Sequence, residues 1–327
     1  MNMVSRQTLG TSELSRRSML KGLALGIPLA ATSGCIESMG TPGTVDLVWG
    51  RRGLSEGRFQ KPRAIAIDDN DELYIVDTTG RIQVFSTEGE YLRGWKTPEA
   101  VDGRPTGMQV DTLDSHLLVA DTHYYQMLCY TLDGELLPDR IIGGTRGTAG
   151  GEFSFITDAI RDSKGNYYTG EYSEVDRIQK FSPDGEFMTQ WGSTGGKPGE
   201  FVRPQSLAMD KNDHLWIADS CNHRIQIYDT GPTEPKLVDV WGSYGREPGK
   251  LFYPYGIVLD DAGSIYVCEY GNQWVQKFDL AGNVLDRWGT HGKDPGQLYQ
   301  PWGIVRDSVG RLHVLDSNNH RVQRVWL

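Results

Sequence analysis

Six carboxylic acids, Asp77, Asp121, Glu171, Asp219, Glu269 and Asp316, recur along the 327-residue chain at intervals of 44, 50, 48, 50 and 47 residues. Each closes an apolar run of β type, so an acid stands at the same station in every repeat. A short Asp at such a station accepts hydrogen bonds from the loop that follows and from an arginine of the Arg224 kind, which is a structural duty. Glu171 and Glu269 break that pattern with a longer side chain. With Asp158 they offer three carboxylates to a hard cation such as Ca²⁺, which takes oxygen ligands. A second set of positions varies where the first repeats: Arg63, Thr106, Thr157, Gln205, Tyr255 and Trp302 each open an apolar run, and all but Thr157 follow a proline. Arg63, Thr157, Gln205, Tyr255 and Trp302, with Tyr172 and Tyr270 beside the two glutamates, read as a mixed aromatic and polar pocket. It suits a ligand with a ring or apolar portion and an anionic or carbonyl group.

Other reactive side chains point to less. His223 and His320 occupy one repeated loop position, which favours packing over ligation. His123 stands in a similar loop in a shifted register, and His116, His214 and His313 begin runs near the opposite face. No three histidines converge by spacing, so a His-rich zinc site is not supported. Beyond Cys35, the cysteines are Cys129, Cys221 and Cys268, with no Cys-x-x-Cys pair. A Cys221–Cys268 bridge is geometrically open, but buried free thiols are favoured. The glycines fall at turns, with neither a Gly-x-Ser-x-Gly elbow nor a phosphate-cradling loop.

The elements that must position these residues follow from the repeat. Strand a is a run such as Pro62–Asp68, Pro204–Asp210 or Pro254–Asp260, and Ile156–Asp162 is the copy without proline. A tight Asp/Gly turn leads to strand b, which ends on the acid. A loop then leads to strand c, such as Arg81–Phe85, Arg177–Phe181, Arg224–Tyr228 or Trp274–Phe278, and strand d closes on Trp-Gly or a variant. The last copy stops after strand c. Val45–Gly50 is a strand d with nothing before it, and supplying it to the sixth unit fastens a ring. With strand a descending, the acids, the loops after them and the variable positions all face one end, the upper mouth of a central channel. Binding residues on rigid scaffolds concentrate in such loops.

Asp219-Ser-Cys-Asn-His-Arg-Ile-Gln-Ile-Tyr228 and Asp316-Ser-Asn-Asn-His-Arg-Val-Gln-Arg-Val325, followed in the fuller copies by Trp-Gly and a proline-led strand, resemble the NHL repeat. The resemblance covers residues 45–327 and implies an all-β, six-bladed β-propeller. It leaves function open, because the family hosts enzymes, RNA binders and interaction platforms. Peptidyl-hydroxyglycine lyases are similar in fold, and that likeness implies zinc-binding histidines directly after the strand-a prolines. Here those places hold Arg63, Thr106, Gln205, Tyr255 and Trp302, so the zinc chemistry is not carried over.

Residues 1–34 resemble a twin-arginine export signal, with Arg16-Arg17 before a short apolar run, and Thr32-Ser-Gly-Cys35 resembles a lipobox. Residues 35–43 read as a tether and 44–327 as the propeller. Without residues 1–34 the chain has 29 basic and 42 acidic residues, a net charge of −13, which repels polyanions and excludes nucleic acid as a partner. The sequence thus predicts an exported, periplasmic or cell-surface monomer, held at the membrane by a lipid on Cys35. It favours a binding module for a small molecule or protein over an enzyme. The alternative is a metal-dependent lyase or hydrolase with its site at the channel mouth.

Overall fold

The computed structural model describes residues 43–327, which form six four-stranded antiparallel sheets arranged around a central channel. Neighbouring innermost strands touch in cyclic order, and Pro62–Ile67 of blade one lies against both Gly107–Asp111 of blade two and Ile304–Arg306 of blade six. The chain is an all-β, six-bladed β-propeller. Its ring closes as the sequence predicts: Val45–Trp49 pairs antiparallel with Arg321–Val325 and completes blade six. Arg324 adds charge pairs to Asp46 at 3.1 Å and Glu88 at 2.5 Å, tying the closing strand to blade one. Arg16, Arg17 and Cys35 lie outside the described residues.

Period-two alternation explains the packing. Ile, Val and Leu from one sheet interdigitate with those of the next, as Ala64, Val76 and Ile82 of blade one do with Met108, Val119 and Leu128 of blade two. The Trp-Gly ending has a separate reason. Trp49, Trp95 and Trp241 each cover the glycine of the next blade's c–d turn, at Gly89, Gly134 and Gly282. The glycine after the tryptophan takes a positive φ, 95° at Gly192, where an added Cβ would lie 2.5 Å from the Phe201 ring.

Arg and Gln on strand c hold the long connection above four of the blades, at Arg81/Gln83, Arg177/Gln179, Arg224/Gln226 and Arg321/Gln323. Arg224 donates to the carbonyls of Gly196, Lys197 and Glu200, while Gln226 donates to Glu200 and accepts from the Gly199 N–H. The repeated histidine is a clip between blades. His223 sits at φ 56° and its Nδ1 accepts the Tyr253 N–H at 3.2 Å; His320 accepts the Lys61 N–H at 2.9 Å across the ring closure. Blade two departs from the repeat, because its outer strand is only Ile142–Gly143, preceded by a helical turn at Pro138–Arg140. Cys129, Cys221 and Cys268 are free thiols, so no Cys221–Cys268 bridge forms.

Candidate functional site

Strand a carries a β-bulge at one place in four blades, at Arg63, Thr157, Gln205 and Tyr255. A bulge leaves one residue out of the ladder and re-aims its side chain. It is therefore the device that turns Arg63, Gln205 and Tyr255 toward the channel. Arg63, Gln205, Tyr255 and Trp302 line one cavity of about 140 Å³, with Thr106 and Asp158 on the same wall. Thr157 is fully buried and its hydroxyl is spent on the Pro204 carbonyl at 2.5 Å.

The aromatic residues predicted for the mouth come together. Tyr255 and Tyr270 stack with ring centroids 4.6 Å apart, and Trp302 stands edge-on to both, at 5.0 and 5.8 Å. The Arg63 guanidinium lies over Trp302 at 5.1 Å. Tyr172 joins through Arg203, which lies 4.7 Å from Tyr172 and 5.3 Å from Tyr255, and whose Nε donates to Gln205 at 2.8 Å. Arg203 was not among the residues expected here, nor was Arg104. Both precede the strand-a proline, as Lys61, Tyr253 and Gln300 do in other blades. Arg203 takes φ 61° and its N–H is pinned by Asp176 at 2.7 Å, which directs the side chain over the opening. Burial and then neighbouring Arg203 hold the Arg63 pKa below its ordinary value; burial, Arg63 and Arg104 lower that of His123. The arginines share one field.

Asp158, the residue after Thr157, is the carboxyl group in the lining of the cavity. Its Oδ1 accepts the Ala159 N–H at 3.0 Å, and its Oδ2 accepts the Leu207 N–H at 3.0 Å and Gln109 Nε2 at 3.4 Å. Those donors favour the anion, yet complete burial outweighs them and raises the pKa to about 6. Gly107 contributes by omission: a Cβ there would lie 2.7 Å from Asp158 Oδ1.

The predicted cation site of Asp158, Glu171 and Glu269 does not assemble. Glu171 is buried and accepts from Arg177 Nε at 2.6 Å, the Ser154 N–H at 2.7 Å and Gln179 at 2.8 Å. Glu269 accepts from the Phe252 N–H, Asn272 and Gln276 at 2.6–2.8 Å and from the Trp274 indole. Both are occupied anchors of the upper loops, as the aspartates are, and neither lines the cavity. Among the described residues, the cluster able to chelate a metal is Asp111, Asp114 and His116, whose ligand atoms lie within 4.8 Å of one another. It sits at the lower turn of blade two. Asp111 and Asp114 already share Arg161 Nη1 from blade three, the Asp114 contact being 2.7 Å. The five-residue strand Gly107–Asp111, four steps of ~3.3 Å, separates this turn from the upper mouth.

The NHL repeat family matches residues 201–228, 253–278 and 298–325. Rat peptidylglycine alpha-amidating monooxygenase is 28% identical over 197 residues, which is 58% of this chain but 19% of that protein. Mouse NHL repeat-containing protein 3 is 29% identical over 181 residues, half of this chain and 51% of that protein. The chain thus spans about half the length of the latter relative and about a fifth of the former. A solved streptogramin B lyase superposes with a TM-score of 0.59 at 10% identity, covering 84% of this chain and 95% of its own. The expectation that leaned away from an enzyme is corrected here. The chain carries a cluster able to chelate a metal, and its fold is one on which a lyase is built.

Proposed function

We propose, from the premise of a six-bladed propeller built of NHL repeats, that this chain is a lyase or hydrolase working in the upper half of its channel. The observation that carries the reading is Asp158, a buried carboxyl with a pKa raised to about 6, in the cavity that Arg63 and the aromatic wall open to solvent. A group poised near neutral pH is suited to move protons. Ionised, Asp158 serves as the base; Arg63 and Arg203 hold an anionic group of the substrate, and Tyr255, Tyr270 and Trp302 receive its ring or apolar portion. The residues after the strand-a prolines include no histidine, so a zinc held there does not fit this donor set. A cation belongs instead to Asp111, Asp114 and His116. Two carboxylates suit Ca²⁺ and the imidazole widens the choice to transition metals, with Arg161 displaced on binding.

Assays of the full chain against ring-bearing acids and esters test this. Turnover should rise with pH through about 6 as Asp158 loses its proton, and Asp158→Ala should abolish it. Arg63→Gln should mainly raise KM. Metal analysis of the same samples should show a cation that His116→Ala releases. Undiminished turnover in the Asp158 variant would remove the reading.

We further propose that the chain is exported through its twin-arginine segment and held at a membrane, as a monomer, by a lipid on Cys35. A single chain binds a membrane only marginally, whereas several chains on one N-terminal cysteine anchor firmly. Cys35→Ser should move the protein to the soluble fraction without blocking export, and Arg16→Lys with Arg17→Lys should retain it in the cytoplasm. A Cys35 variant that fractionates like the parent excludes the anchor.

A further inference from the structure

Three arginines surround the upper mouth of a protein whose net charge is −10, and among the described residues none has a carboxylate within 4.0 Å of its guanidinium. Arg177 and Arg224, by contrast, each grip an acid at 2.6–2.7 Å. Arg63 leans over the Trp302 ring. Arg203 bonds the neutral Gln205, and the nearby Asp176 is engaged by its backbone N–H instead. Arg104 donates to the carbonyls of Gly103 at 2.7 Å, Val101 at 3.3 Å and Thr78. Carbonyl oxygens fix a guanidinium in place without cancelling its charge. The mouth therefore keeps about three positive charges beside an aromatic wall, above one buried carboxylate.

We infer that the mouth recognises a phosphate monoester group carried on a ring-bearing substrate. This rests on the reading of the mouth as the substrate entrance and adds the class of substrate. Charge selects the group: a carboxylate or sulfate ester offsets one of the three cations, whereas a phosphate monoester carries close to two negative charges at neutral pH. Geometry agrees, because guanidinium forks match the oxygens of phosphate and bind them in pairs. Tyr270 and Trp302, half-buried and backed by the buried Tyr255, put aromatic surface beside the arginines for the ring. The phosphate is a handle here, so no bond to it needs to break.

The test is calorimetric titration of the purified full chain at pH 7.5 and low salt with phenyl phosphate, phenyl sulfate, benzoate, phenol and inorganic phosphate. Phenyl phosphate should bind at least tenfold more tightly than each of the others. Arg63→Gln and Arg203→Gln should each weaken it tenfold or more with the melting temperature unchanged, while Lys164→Ala, in a lower turn, should have no effect. Equal affinity for phenyl phosphate and benzoate, no binding of either, or indifference to the arginine substitutions would overturn the inference. Phosphate selectivity in a protein without turnover would keep it and remove the enzyme reading. Turnover with no phosphate preference would do the reverse.

Discussion

A chain that begins at Arg51 should melt roughly 10 °C or more below the full chain, or aggregate on purification. The segment it lacks, Val45–Trp49, is the fourth strand of blade six. Trp49 alone is buried against Phe59 and Phe85, with ring centroids 5.8 and 4.8 Å away. Deleting one buried tryptophan typically costs about 3–5 kcal/mol, before the lost ladder is considered. In a protein of this size each kcal/mol moves Tm by roughly 2–4 °C. The loss also bares strand Arg321–Val325 along its whole length, and an unpaired edge is a template for association. Scanning calorimetry with light scattering measures both effects. An unchanged Tm would show that six blades hold together without the clasp.

Arg177→Met should destabilise the protein by about 3–5 kcal/mol, the usual cost of leaving one partner of a buried ion pair alone. Arg177 and Glu171 are 2% and 0% exposed and meet at 2.6 Å. The same guanidinium donates to the carbonyls of Thr148, Ala149 and Glu152 and to Gln190, so its removal also frees the loop above blade three. Arg177→Lys should recover only part of the loss, because an ammonium cannot span that fork. Blade five supplies the natural contrast. Trp274 replaces the arginine there, Glu269 is held by neutral donors, and burial pushes its pKa up to about 7. Chemical unfolding of the three proteins decides the matter, and a loss under ~1 kcal/mol for Arg177→Met would mean that water reaches the pair.

What the sequence disclosed and what it hid divide along physical lines. The repeated acids, the Trp-Gly endings and the orphan strand at Val45 are visible because strand periodicity and turn chemistry are local. The ring of variable residues is visible because it breaks a repeat. Arg104 and Arg203 escaped because a residue before a proline reads as loop: nothing in its type announces the φ of 61° that swings Arg203 over the mouth, or the carbonyls of Thr78, Val101 and Gly103 that hold Arg104. The position was still legible, since Lys61, Arg104 and Arg203 share it. Glu171 and Glu269 misled because length suggested reach into the channel. Their extra methylene instead reaches outward, to Arg177 and to Trp274. The Asp111 cluster was hidden because its turn is one residue longer than the others and its arginine, Arg161, comes from the next blade.

The clasp at blade six also sets the timing of the protein's own synthesis. Val45 leaves the ribosome 276 residues before its partner strand begins at Arg321. At ~5–20 residues per second the first strand waits roughly 14–55 s for the last. Blades one to five can each be completed as they emerge, but blade six and the ring wait for Arg321–Val325. Throughout that interval Trp49 can meet Phe59 and Phe85 of blade one, but the ladder that fixes its strand has no partner. A nascent chain therefore carries an apolar N-terminal strand that must be kept from other strand edges until the final one arrives.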